Sequence, residues 1–193
     1  MIPRDLVLVG SLSKLEPLRL DHALDLHEAV GKEPLTYLNL WKPTEHPDEM
    51  AQIINRALQN PDLVPFAVID TSSGQAVGST GFMDIRPADR AVEIGNTWLG
   101  EAAQGTHVNP QMKRLMLAYA FETAECNRVQ LKTDARNLRS RAAIAKLGAT
   151  FEGILRKHMV CRDGFVRDTA MFSIIAEEWP AVRDRLDARL TIP

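Results

Sequence analysis

Between Trp98 and Leu117 the chain reads WLGEAAQGTHVNPQMKRLML, with four residues between Gly100 and Gly105 ahead of a strongly apolar stretch. A glycine-bearing turn that opens a helix is a natural phosphate cradle. The first backbone N–H groups have no intrahelical partner, and the helix macrodipole adds partial positive charge there. Gly-x-x-x-x-Gly is also how a P-loop begins, but that loop needs Lys for the outer phosphates and then Ser or Thr for magnesium. Thr106 and His107 stand in those places, so the P-loop reading fails. What survives is a phosphate or pyrophosphate held by amides from Gly105 onward. The plain alternative is a glycine that only turns the chain into a helix.

Other residues could do chemistry, and each has an ordinary reading beside it. Glu93 lies in RAVEIGNTWL, where strand alternation puts it on the face opposite Val92, Ile94 and Trp98; a solvated strand glutamate is the ordinary fate. Asn137 and Ser140 have the spacing of a helix N-cap and its third residue. Arg136, Arg139, Arg141 and Lys146 make the most basic stretch of the chain, a phosphate attractor or a solvated face. Tyr37 and Trp41, in a segment broken by Pro34, Pro43 and Pro47, are placed to border an acceptor pocket or to pack. His22, His27, His46 and His158 lack metal-ligand spacing, and no metal is expected. Cys126 and Cys161 form no CxxC pair and read as small buried hydrophobes.

The elements that must position these residues follow from period and punctuation. PLRLDHALDLHEAV predicts a helix with Leu20, Ala23 and Leu24 on one face and Asp21 as its cap. A second helix is expected over 48–59, with Met50, Ile53, Ile54, Ala57 and Leu58 at helical spacing. VPFAVID, QAVGSTGFMDI and RAVEIGNTWL read as three consecutive antiparallel strands, the first two joined at Ser73-Gly74. After the glycine turn a helix is expected over 110–124, with Pro110 at its first position and Met112, Leu115, Met116, Tyr119 and Ala120 as its apolar stripe. RVQLKTD alternates as a strand. NLRSRAAIAKLG is a helix opened by Asn137 and closed by Gly148, and two last strands meet at Asp163-Gly164 before a final helix. The order α-α-β-β-β-turn-α-β-α-β-β-α is that of a mixed sheet with helices, in the α/β or α+β class.

Composition narrows the partners. At 193 residues, 45% apolar and 25% charged, the chain is most simply one globular domain over 1–193. A net charge of -2 gives no support to nucleic acid as the main partner. The apolar run Leu6 to Val9 is too short for a signal peptide and no stretch is long enough to span a bilayer, so a cytoplasmic protein is expected.

Four blocks taken in order, VEIGNTWLG, QGTHVN, TDARNLRSRAAIAKLGATFEG and LRKHMVCRDGFVRDTAMFSI, resemble the GNAT superfamily of acyl-CoA-dependent N-acetyltransferases, and within it the RimJ/RimL-type branch. The resemblance implies a mixed, mostly antiparallel sheet of about seven strands flanked by helices, with a wedge for CoA between the fourth and fifth. It implies acetyl transfer from acetyl-CoA to a primary amine, a protein N-terminus or a small molecule, by direct attack in a ternary complex. The turn Gln104, Gly105, Thr106, His107, Val108, Asn109 would hold the pyrophosphate, although His107 and Asn109 replace the small residues expected there. Backbone around Trp98 and Leu99 would pair with the pantetheine arm like an added strand, and an amide near Thr97 or Leu99 would polarise the thioester. Glu93 would be the general base, Asn137 would bind the pantetheine arm, and Ser140 would stand near the sulfur. Other readings stay open: a catalytically weak CoA-binding or protein-interaction module, a transferase using another acyl-CoA, and a homodimer as the assembly.

Overall fold

The computed structural model describes residues 2–30, 46–161 and 163–191. Tyr37 and Trp41 lie outside the described residues. A single eight-stranded sheet carries the fold, in the order β1-β2-β3-β4-β5-β6-β8-β7. The strands are β1 (Leu8–Val9), β2 (Ser13–Pro17), β3 (Leu63–Asp70), β4 (Ala76–Arg86), β5 (Ala91–Leu99), β6 (Arg128–Asp134), β7 (Thr150–Val160) and β8 (Val166–Ile175). The helices are α1 (Ala23–Val30), α2 (Pro47–Gln59), α3 (Val108–Ala118), α4 (Leu138–Leu147) and α5 (Trp179–Leu190).

The predicted order lacks the first two strands. β1 is only two residues long and β2 buries one large apolar side chain, Leu15, so neither shows the alternation a strand is recognised by. The first helix also has another phase. A 3₁₀ turn over Leu20–His22 precedes α1, which buries Leu26 and Val30, while Leu20 and Leu24 are exposed. Asp21 caps nothing; its carboxylate accepts from Arg19, and the turn is closed by the Arg19 amide donating to Nδ1 of His22.

Alternation along β3 splits the core in two. Phe66 and Val68 join Phe82, Val92, Ile94, Met112, Met116 and Phe172 on the side of α3 and α5. Ala67 and Ile69 join Leu26, Val30, Met50 and Ile54 on the side of α1 and α2. Met50 and Ile54 are fully buried, and each contributes roughly 1.5–3 kcal/mol through its removal from water.

One pairing differs from the rest. β5 and β6 run parallel, joined by α3, and they pair only from Ala91↔Arg128 to Glu93↔Gln130. Beyond that point both strands continue, to Leu99 and Asp134, without pairing to each other. The result is the expected wedge, moved in number to the fifth and sixth strands by the short extra strand β1, its apex at Glu93 and Gln130. No helix among the described residues is long and apolar enough to cross a membrane.

Candidate active site

The open lip of the wedge is shaped by a bulge in β5. Gly81 faces Gly95 and Ser79 faces Trp98, so β5 carries one extra residue between them, and Asn96 absorbs it at φ 51°. The extra residue reverses the alternation. Val92 and Ile94 pack toward α3 as expected, but Trp98 packs with Leu26, Met50 and Ala67 on the other side. The expectation that Trp98 shares a face with Val92 and Ile94 is thus corrected. Thr97 instead turns toward α3, where its hydroxyl meets Thr80 Oγ1 at 2.7 Å and accepts from Lys113 Nζ at 2.9 Å.

Glu93 is 1% exposed, which rules out a solvated strand glutamate. Its Oε2 accepts from Lys132 Nζ at 2.9 Å and from Gln130 Nε2 at 3.0 Å. Gln130 also donates to Asp84 at 2.9 Å, linking β4, β5 and β6 across the apex. The other oxygen faces Gly95: a Cβ there would stand 2.9 Å from Oε1 and 2.7 Å from Met83 Sδ. Glycine is needed at that position to leave the carboxylate its room.

Past the lip comes the turn. Gly105 adopts φ 76°, a left-handed conformation that disfavours any side chain, and no atom lies within 4 Å of where its Cβ would be. Thr106 ties the turn down, donating to the Ala103 carbonyl at 2.7 Å and accepting from the Val108 amide at 3.2 Å. Among the described residues the amides of Gly105, Thr106 and His107 meet no acceptor. The Val108 amide does, so the run of free amides is shorter than expected. Helix α3 begins at Val108, not at Pro110, because His107 already holds helical angles and its carbonyl accepts from Gln111. The α-helix gives way at Tyr119–Thr123 to a π-helical turn. Gly105, Thr106, His107 and Pro110 line a shallow depression of about 230 Å³, with Arg189 of α5 on its rim. A small donor-lined hollow beside a helix N-terminus fits an anion of phosphate type.

Gln104 is the hinge of the arrangement. Its Nε2 donates to the Leu99 carbonyl at 2.7 Å, and its Oε1 accepts from Arg139 of α4. One side chain thereby joins the end of β5, the turn and α4. Asn137 caps α4, its Oδ1 accepting from the Ser140 amide at 2.9 Å. Asn109 is half-buried in the first turn of α3. In the basic stretch Arg136, Arg139 and Lys146 are exposed and Arg141 is half-buried. Arg136 binds Asp134 at 2.8 Å and stacks on Phe165, and Arg141 donates to the Ala135 carbonyl.

Lys113 escaped the sequence reading. It is 6% exposed, and burial pushes its pKa down to about 7. The signal was present, since Lys113 lies one residue after Met112 and three before Met116 on a helix buried nearly all round. Among the described residues no group of His, Cys, Asp and Glu forms a metal-binding cluster. Cys126 and Cys161 are free and buried.

Comparison with known proteins agrees with the fold. The family description "Acetyltransferase (GNAT) domain" matches residues 14–150. A GCN5-related N-acetyltransferase from Brucella melitensis superposes with a TM-score of 0.92 at 32% identity, over 98% of this chain and 87% of that one. Mycobacterium smegmatis RimJ, solved in complex with CoA-disulfide, shares the fold with a TM-score of 0.76 at 23% identity, over 98% of this chain and 97% of its own. YdaF of Bacillus subtilis, a candidate ribosomal N-acetyltransferase, is 28% identical over 55% of this chain, and the match spans 57% of YdaF's length. With more than half of its residues inside the family's domain, and with the wedge in place, the chain belongs to the GNAT acetyltransferases.

Proposed function

We propose that the chain transfers an acetyl group from acetyl-CoA to a primary amine, a protein N-terminus or a small molecule, by direct attack within a ternary complex. The observation that carries this reading is Glu93, buried at the point where β5 and β6 part. A carboxylate there would face an amine and a thioester brought together in the wedge.

Bound acetyl-CoA would supply the activated thioester. The amides of Gly105, Thr106 and His107 would hold its pyrophosphate, with Asn109 continuing the cradle into α3 and Val108, its amide held by the Thr106 hydroxyl, fixing the shape of the turn. The backbone of Trp98 and Leu99, which β6 leaves unpaired, would pair with the pantetheine arm in the manner of an added strand, and Asn137 would hold that arm from α4. An amide near Thr97 or Leu99 would donate to the developing oxyanion, a role typically worth several kcal/mol. Glu93 takes the proton of the amine, directly or through water. An α-amine of pKa ~8 needs this help less than a lysine of pKa ~10. Ser140 stands on the first turn of α4, where its hydroxyl can bond the departing thiolate.

His107 replaces a small residue without straining the turn, since its φ is -74° and within the range open to any side chain. That supports cofactor binding over the reading of a defective cradle. The test is to mix the protein with acetyl-CoA and a panel of amines and peptide N-termini, following free thiol and acetylated product together. Tight CoA binding with no turnover on any acceptor would leave a CoA-binding module in place of an enzyme, and turnover only with another acyl-CoA would change the donor.

A further inference from the structure

The sheet face that carries Glu93 has a charge imbalance. Strand register sets which residues share that face. Glu93 pairs with Gln130, and Lys132 and Asp134 of β6 pair with Met171 and Thr169 of β8. Side chains two apart along a strand, and those directly paired, point the same way. Glu93, Gln130, Lys132, Asp134, Thr169 and Arg167 therefore share one face. Val129, Leu131, Ala170 and Phe172 fill the opposite one, under α3 and α5.

On the polar face each carboxylate has its own cation. Glu93 is bound by Lys132 at 2.9 Å, Asp134 by Arg136 at 2.8 Å and Asp84 by Arg86 at 3.4 Å. Arg167 is the remaining charge. It is 8% exposed, and its donors reach only the Thr169 hydroxyl and the Met159 sulfur, both at 3.1 Å. Among the described residues it has no carboxylate within ion-pair distance. Asp134 feels its field, but the bonds of that carboxylate go to Arg136. A hydroxyl and a thioether are weak partners for a guanidinium that offers five N–H donors, and a buried charge without a counterion is costly. His158 stands beside it, Nδ1 3.1 Å from the same Thr169 hydroxyl. Burial and the charges of Lys132 and Arg167 hold that imidazole below its usual pKa, which favours the neutral ring, and a neutral ring is no counterion for a guanidinium.

We infer that Arg167 is a specificity residue that binds a carboxylate on the acceptor, and that the acceptor is a peptide N-terminus with an acidic residue close behind it. This inference rests on the reading of the chain as an amine acetyltransferase. The span sets the class of acceptor. From Gln130, level with Glu93, to Asp134, level with Thr169, is four residues, roughly 13 Å of strand. From β5 to β8 is two strand spacings, about 10 Å. The diagonal is roughly 16 Å, more than a free amino acid can bridge. An extended peptide gains about 3.3 Å per residue, so its acidic side chain belongs within the first five positions.

The experiment uses heptapeptides with free amino termini that differ only by Glu or Gln at positions two to five, with free glutamate as the short carboxylate. Acetylation is followed by mass, and peptide binding by calorimetry in the presence of CoA. The wild type should favour the Glu form at least one position by tenfold or more, in kcat/KM and in Kd. Arg167→Met should bring that ratio to about one, while Arg167→Lys keeps part of it. Equal handling of the Glu and Gln peptides by the wild type overturns the inference without any variant. A ratio that survives in Arg167→Met overturns it too, and so does free glutamate acetylated as well as the acidic peptide. If no amine of any kind is acetylated, the enzymatic reading falls and this inference falls with it, a result distinct from acetylation without preference.

Discussion

The two faces of the sheet around the wedge treat buried charge in opposite ways. Beneath α3 the surroundings are apolar, and the single intruding cation, Lys113, bonds one hydroxyl and has its pKa pushed down to about 7. On the other face Glu93 is as deeply buried, yet it keeps a cation at 2.9 Å and an amide donor at 3.0 Å. A charge removed from water is either matched or discharged. The sheet uses discharge on the face that packs the core and, Arg167 apart, matching on the face where an amine would be deprotonated. The two donors hold the Glu93 carboxylate in place at the apex of the wedge.

The largest effect should come from breaking the match. Lys132→Met leaves Glu93 buried without its cation and should cost on the order of 3–5 kcal/mol of stability, read by denaturant unfolding. Lys132→Met combined with Glu93→Gln should recover most of that loss, because no charge then remains to be matched. If the double variant is as unstable as the single, the pair is not what holds this face together. Glu93→Gln alone keeps the shape and both donors within reach. It should lower kcat about 100-fold while leaving CoA affinity near the wild type. A loss of less than threefold would remove Glu93 from the chemistry.

The discharged side makes the reverse prediction, in which removing the charge helps. Lys113 has a folded pKa of about 7 against an ordinary value of 10.5. Between those values the unfolded chain binds the extra proton and the folded one does not, so wild-type stability rises with pH across that window. The penalty is fully present below the lower value and gone above the upper one. Lys113→Met should therefore stabilise the protein at neutral pH by on the order of 2 kcal/mol, allowing for the lost Thr97 bond. The gain should fade as the pH approaches 10. A gain independent of pH would trace to packing and not to charge.

The contrast also explains what could be read from the chain alone. β3, β4 and β5, α2, α4 and the last hairpin are visible because their period and punctuation are local: Ser73-Gly74 turns one hairpin, Asn137 and Gly148 bracket one helix, and Asp163-Gly164 turns another hairpin. Glu93 was placed opposite Val92 and Ile94 by the same local rule. Trp98 was not, because a single extra residue at Asn96 reverses alternation and leaves no mark in an apolar pattern. The partner of Glu93 was hidden for another reason. Lys132 comes from a strand beyond α3, and only the parallel register of β5 on β6 brings the two together. β2 was missed because its one buried leucine means nothing until β3 is beside it.

The smallest predicted effect separates a structural part from a binding part within one side chain. Asn137 accepts from the Ser140 amide through Oδ1 and also carries a side-chain NH₂. As a cap it contributes about 1 kcal/mol, and as a ligand for the pantetheine arm it would use the NH₂ as donor. Asn137→Ala removes both, so it should lower stability by about 1 kcal/mol and weaken CoA binding several-fold. Asn137→Asp keeps an accepting oxygen for the Ser140 amide, loses the donor and adds a negative charge. Its stability should stay near the wild type while CoA affinity falls as far as in the alanine variant, with thermal unfolding and calorimetry as the two readouts. If Asn137→Asp restores both, Asn137 acts only through the helix it opens, and the contact to the pantetheine arm must come from elsewhere on α4.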